Sequence, residues 1–307
     1  MISLLKKKIK FIIKSVFHNE IEKDLILKAK ILSIKNKKKN KIKDLSEVEF
    51  KVFSQWGEDG IIDWIVNKFD KLPKIFLEIG TENYKESNTR FLLMNKNWNG
   101  FLIEAEKKNV KDIKSQQIYW KHNLKVENSF ITKENINKII KKLKVPKKIG
   151  LLSLDIDSND YWILKQLNIL DPYIIICEYN SLFGLKKSVT VPYKKNFVRT
   201  NEHYSNLYYG ASIKAFTDLM IRKNYFLLGT NSAGNNAFFI KKIFFDKFDK
   251  FITEKKIFKA KFRESRNRKG KLDFLDKKKS LKTIKNKILV DLKTGVKKKI
   301  TDLNLLS

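Results

Sequence analysis

The stretch LLSLDIDSNDYWIL (Leu151–Leu164) decides how this chain reads. It enters as a continuous apolar run, turns acidic over Asp155, Asp157 and Asp160, and returns to apolar residues at helical spacing. An apolar run of this length, closed by a polar turn and followed by a helix, is the pattern of a parallel strand buried on both faces. The strand is read over 149–156 and the helix over NDYWILKQL.

The same unit recurs on either side. IFLEIG (75–80) and GFLIEA (100–105) read as strands, QIYWKH (117–122) as a weaker third strand, and YIIICEYN (173–180) as a fifth. NTRFLLMNK and ENINKIIKKL read as helices between them, and a helix over 55–69 precedes the first strand and stops before Pro73. Further on, ASIKAFTDLMIRKN reads as a helix, and YFLLG and NAFFIKK as two strands. The short turn TNSAGN joins those two, so they read as an antiparallel hairpin. Strands alternating with helices predict a mostly parallel α/β sheet with helices on both faces. Three segments follow: a basic helical segment and linker over 1–50, the sheet domain over 51–245, and a basic extension over 246–307, helical or partly disordered.

The 307 residues carry 66 Lys and Arg against 33 Asp and Glu, a formal charge of +33. The excess sits mainly on the two flanks. A basic surplus fits contact with nucleic acid, anionic lipid or acidic glycan. It also fits the Lys, Ile and Asn enrichment of an AT-rich coding sequence, the simpler reading here. No nucleic-acid signature is present, so no specific nucleic-acid partner is expected. Weak peripheral contact between the basic flanks and an anionic membrane stays open. MISLLKKKIKFIIKSVF has charges throughout its apolar residues, unlike a signal peptide or a membrane span. The one cysteine, Cys177, suits a reducing cytoplasm.

In an open α/β sheet, ligands bind beyond the carboxyl ends of the strands. There the sequence places Glu78 on strand 1, Glu104 on strand 2, Asp155 and Asp157 on strand 4, and Glu178 with Asn180 on strand 5. Each can instead pair with a lysine, cap a helix or reach water. Four strand ends agreeing suits a hydroxyl-rich or positively charged ligand, or a metal ion. The strand-1 loop has one glycine, Gly80, and is neither GxGxxG nor a P-loop. Glu104 follows it at the spacing of a ribose-binding acid.

FLEIGTENYKESNT, NGFLIEA, LLSLDIDSNDYWILKQL, IIICEYN and NYFLLGTNSAGNNAFFI, taken in order, resemble the FkbM-type class I methyltransferases over about residues 53–241. SQWGEDGII, just before, looks like a segment of that group's relatives. The resemblance implies a Rossmann-like seven-stranded sheet ending in the hairpin. It implies S-adenosylmethionine as cofactor, with Glu78, Gly80, Glu104 and Asp155 on the cofactor side. It implies transfer of a methyl group to a hydroxyl of a small molecule or a sugar or glycan. One departure stands out: where the family usually has a second glycine, this chain has Glu82-Asn83-Tyr84, and Tyr84 is placed to stack on or crowd the adenosine.

An oxygen acceptor needs a general base or a metal. Asp155 and Asp157 are the candidates, Asp155 first, and a divalent metal is compatible but not required. Gln55, Glu178, Asn180 and Tyr209 are candidate acceptor contacts. His203, in the stretch TNEHYSNLYYG that reads as a lid over the acceptor, is the other candidate base, although a loop histidine is more often simply exposed. His18 and His122 have weaker claims. Glu58 and Asp59 read equally as acids at a helix start. Asn231, Ser232, Asn235 and Asn236 read largely as turn chemistry. Trp56, Trp64, Trp98 and Trp162 read as packing. The competing expectation is a non-catalytic Rossmann-like module whose basic flanks hold a partner. A nucleic-acid methyltransferase rests on charge alone, and no NPPY-like motif is present.

Overall fold

The computed structural model describes residues 2–305, with side chains from Glu20 onward, so the candidate His18 lies outside the described side chains. The strands are β1 (Ile75–Ile79), β2 (Asn99–Glu104), β3 (Leu124–Asn128), β4 (Lys148–Leu154), β5 (Asp171–Glu178), β6 (Val189–Thr190), β7 (Tyr225–Thr230), β8 (Asn236–Lys241), β9 (Ile288–Asp291) and β10 (Lys297–Lys299). Seven of them form one sheet in the order β3-β2-β1-β4-β5-β8-β7. The first five run parallel; β8 is antiparallel to both β5 and β7. This is the Rossmann-like α/β sheet with its closing hairpin. Chain order reverses between β1 and β4, which opens a crevice at their carboxyl ends.

The helices are α1 (Ile2–Lys37), α2 (Glu58–Asn67), α3 (Arg90–Lys96), α4 (Lys107–Ser115), α5 (Gln117–Lys121), α6 (Ile136–Leu143), α7 (Asp160–Gln166), α8 (Arg199–Glu202), α9 (Ile213–Arg222), α10 (Phe245–Asp249) and α11 (Lys277–Thr283). Alternate strand residues point to opposite faces of a sheet. Leu77, Leu152, Leu154 and Ile175 therefore pack with α6, α7 and α9 through Ile140, Ile163 and Phe216. Phe76, Leu151, Ile174 and Ile176 pack on the other face with Trp64 of α2 and Phe248 of α10. Burial on both faces is why these strands read as unbroken apolar runs.

The third strand departs from the expectation. Residues 117–121 form α5, and β3 follows as LKVEN. Ile118 is buried while Trp120 is 71% exposed, so one side of this short helix faces the core. As an edge strand half open to water, β3 has too few apolar residues to stand out in the sequence. The helix expected over 55–69 starts at Glu58, after a bend that Asp59 holds by accepting the Val52, Phe53 and Ser54 NH groups at 2.7, 2.7 and 2.8 Å.

The flanks are more structured than their charge suggests. Within the expected linker, the Asn36 side chain donates to the Val48 carbonyl at 2.9 Å, and Ile42 is buried and bridged to Ile252. After Phe245, β9 and β10 join β6 in a second, three-stranded sheet. Leu281, Ile284, Leu289, Ile300, Leu303 and Leu305 pack there against Leu182, Phe183, Val189 and Tyr208. Among the described residues no helix is long and apolar enough to cross a membrane.

Gly80 fixes the crevice. Its φ is +82°, and a Cβ there would lie 1.6 Å from the Asp155 carbonyl oxygen. The β1 and β4 turns thus pass in backbone contact. Gly80→Ala combines a left-handed backbone with a clash that neither turn can relieve, and should destabilise the chain by at least about 3 kcal/mol. Chemical denaturation checks this; a loss under about 1 kcal/mol would mean that the turns separate easily.

Candidate active site

The loop after β4 is built around Asp160. Its carboxylate accepts the Ile156 and Ser158 NH groups, both at 2.9 Å, and burial pushes its carboxyl up to about 6. No side chain caps α7; the Asp160 carboxylate in its first turn organises the loop instead. Asp157 takes a left-handed φ of +56° in this loop. Asp155, Asp157 and Glu178 come together as a result: one carboxylate oxygen of each lies within 4.8 Å of the others. Burial, then the charges of Asp157 and Asp160, push the Asp155 carboxyl well above the usual carboxylate range. Burial and the charge of Asp155 do the same to Glu178.

Arg199 of α8 is the cation beside them, and the sequence reading missed it. Its guanidinium bonds Asp157, donates to Glu264 at 2.9 Å and to the Asn206 carbonyl at 2.6 Å, and lies 3.5 Å over the Tyr209 ring. Burial opposes its charge, but Tyr209, Asp157, Glu178 and Glu264 more than offset that and hold it firmly cationic. Tyr209 donates its hydroxyl to Glu264. Glu264 comes from the basic C-terminal segment, 65 residues from Arg199. One signal was available: the chain has only six arginines among its 66 basic residues, and Arg rather than Lys suits a site that forks between two carboxylates.

The other expected residues are placed as follows. Glu78 is buried and turned into the following loop, where it accepts from the Ser87 hydroxyl at 2.6 Å, the Asn88 NH at 3.0 Å and the Thr89 hydroxyl at 2.5 Å. Glu104 accepts the Thr81 NH at 3.1 Å on one oxygen and the Glu106 NH at 2.8 Å on the other. Glu82 faces this side of the crevice, where burial and the nearby Glu104 and Asp157 push its carboxyl up. Tyr84 does not enter the crevice. It is fully buried in the core beneath, its hydroxyl 2.9 Å from that of Thr89, because Glu82 and Tyr84 both take left-handed φ values and turn the ring inward.

Asn180 is buried just beyond β5. Its amide donates to the Leu207 and Tyr209 carbonyls, each at 3.1 Å, tying the Tyr209 segment to the end of β5. Gln55 is exposed at the start of the bend before α2. Glu58 is buried and bonds Asn231 at 2.6 Å and Asn236 at 2.9 Å, and the side-chain Oδ1 of Asn231 accepts the Gly234, Asn235 and Asn236 NH groups at 3.0–3.1 Å. That cluster closes the hairpin turn. His203 bonds Ser205 at 2.7 Å and stacks on Tyr204, while burial and the nearby Lys287 and Arg268 lower its pKa. His122 follows α5, away from β4 and β5 in the sheet. A cavity of about 160 Å³ adjoins Glu264, lined by Ser181, Leu207, Lys259 and Lys277 among others.

No family model matches this chain, and no curated protein does. Several solved structures are similar to parts of this chain. The N-terminal domain of EvdMO1 with SAH bound is 10% identical, with a TM-score of 0.40, over 61% of this chain and 80% of that one. An S-adenosylmethionine-dependent methyltransferase from Clostridium acetobutylicum is 12% identical, with a TM-score of 0.37, over 60% and 90%. An O-methyltransferase from Bacillus cereus in complex with SAH is 16% identical, with a TM-score of 0.36, over 54% and 72%.

Two buried atoms at this edge bear on whether a cofactor fits. Among the described residues, Thr81 Oγ1 and Glu178 Oε2 are buried without a hydrogen-bond partner. They flank a crevice whose acids, Glu82, Glu104, Asp155, Asp157 and Glu178, suit a cationic ligand with hydroxyl groups. S-adenosylmethionine, with its sulfonium, ammonium and ribose diol, is a ligand of that chemistry.

Proposed function

We propose that this protein is an S-adenosylmethionine-dependent methyltransferase of FkbM-like type, acting in the cytoplasm on a hydroxyl of a small molecule, sugar or glycan. The observation that carries the reading is the meeting of Asp155, Asp157 and Glu178 at the carboxyl ends of β4 and β5, beside the Gly80 turn and Glu104. Glu104 would hold the ribose diol, and Thr81 Oγ1 offers a free hydroxyl next to it. Bound there, the cofactor would supply an electrophilic methyl group.

The chain's own residues would do the rest. Asp155 would take the proton from the acceptor hydroxyl. Asp157 and Glu178 would bind neighbouring hydroxyls, as carboxylates do. Tyr209, held by Asn180 and Glu264, would form one wall of the acceptor site. Positioning of this kind can supply several kcal/mol to an in-line displacement.

One observation favours the alternative of a binding module without chemistry: both Glu104 oxygens already accept main-chain NH groups. A diol must then use their remaining lone pairs. Calorimetry with S-adenosylmethionine separates the two readings. Binding to the unmutated chain, weakened roughly tenfold or more by Glu104→Ala through loss of a charged hydrogen bond of about 1.5–3 kcal/mol, is the expected result. No measurable binding to the unmutated chain would leave the non-catalytic module standing.

A further inference from the structure

We propose that Asp155, Asp157 and Glu178 form a binding site for one hard divalent cation at the carboxyl ends of β4 and β5. Each residue brings a carboxylate oxygen, and the three oxygens lie within 4.8 Å of one another. Calcium, with ligands at about 2.3–2.6 Å, spans oxygens up to about 5 Å apart; magnesium, at about 2.1 Å, needs the group to close by roughly half an ångström. The donors are all oxygen, without sulfur or imidazole, which selects Mg²⁺, Mn²⁺ or Ca²⁺ over zinc.

Acidic residues often gather without an ion. Here a second observation points to one. Glu178 is only 8% exposed, and its Oε2 atom has no hydrogen-bond partner among the described residues. A buried carboxylate oxygen left empty is costly unless something positive meets it. The local charge count leaves that place open. Four carboxylates, Asp155, Asp157, Glu178 and Glu264, share one guanidinium, and Arg199 spends its ion pairs on Asp157 and Glu264. Neither Asp155 nor Glu178 has an ion pair among the described residues, in a chain that is otherwise strongly basic.

A cation there would hold the three carboxylates together without protonation. Each need give it only one oxygen, so Asp155 keeps a second for the acceptor proton. The inference deepens the methyltransferase reading, but ion binding is measured without cofactor or acceptor, so either can fail alone.

The test is titration of the full chain with MnCl₂, followed by loss of the free-ion paramagnetic resonance signal, with competition by CaCl₂. One ion per chain, bound more tightly than about 1 mM, is expected. Glu178→Gln and Asp157→Asn should each weaken it at least about tenfold, since even the outer partners of metal ligands commonly account for about 10–100-fold. The Asp157 side chain is 55% exposed, so its variant keeps the test open if Glu178→Gln fails to fold. No saturable Mn²⁺ binding, or unchanged affinity in the folded variants, overturns the site.

Discussion

Asp155→Asn is expected to lower methyl transfer by about 10²–10⁴ while the melting temperature holds or rises. The rate loss is what removing a positioned general base takes away. The unchanged or raised stability follows from where Asp155 lies. Asp157 and Asp160 both repel its charge, and Arg199 forms its ion pairs with Asp157 and Glu264 instead. An amide of the same shape removes that repulsion. Methyl transfer to a panel of hydroxylated acceptors, with melting curves on the same samples, checks both halves. Equal rates would take Asp155 out of the chemistry and turn attention to Asp157. A melting point many degrees lower would make Asp155 a structural element of the β4 turn.

Removing residues 246–307 should leave a chain that does not fold. The sequence alone makes this flank look dispensable, because it is charged and poor in motifs. In the fold, Phe248 and Ile252 belong to one face of the main core, and Leu281, Ile284, Leu289, Ile300, Leu303 and Leu305 complete a separate core with Phe197, Leu207, Tyr208 and Tyr209. Burying each such side chain contributes about 1.5–3 kcal/mol. Losing eight of them exceeds about 10 kcal/mol, comparable to the whole stability of an ordinary domain. Glu264 and the carbonyl of Phe258, which accepts the Tyr179 hydroxyl at 2.5 Å, would go as well. Circular dichroism and size-exclusion chromatography of the truncated chain decide the matter. A soluble product with a cooperative melt would mean that the second core forms without contributing to the first.

The sheet was legible because its central strands are covered on both faces. Ile75–Ile79, Asn99–Glu104, Lys148–Leu154 and Asp171–Glu178 have to be apolar almost throughout, and an uninterrupted apolar run survives any choice of surface residues. The hairpin was legible from its turn, where Asn231, Gly234 and Asn235 meet backbone demands that few residue types satisfy. β3 was not, because an edge strand shares its pattern with a loop. Tyr84 misled for another reason: its number places it in the cofactor loop, but two left-handed residues, Glu82 and Tyr84, send the ring into the core.

The carboxylates of the candidate site were named from the sequence, because strand ends in an α/β sheet share one edge. Their division of labour was not. That Glu78 serves its own loop, that Asp160 organises the β4 turn, and that Asp155, Asp157 and Glu178 meet depends on which donors each oxygen finds within about 3 Å. Arg199 and Glu264 enter through contacts 42 and 65 residues apart in the chain, from segments with no local motif. Strand and helix patterns are set by neighbours in sequence and by burial, which composition records. Charge pairing across a crevice is set by where distant segments come to rest, and only the tertiary structure decides that.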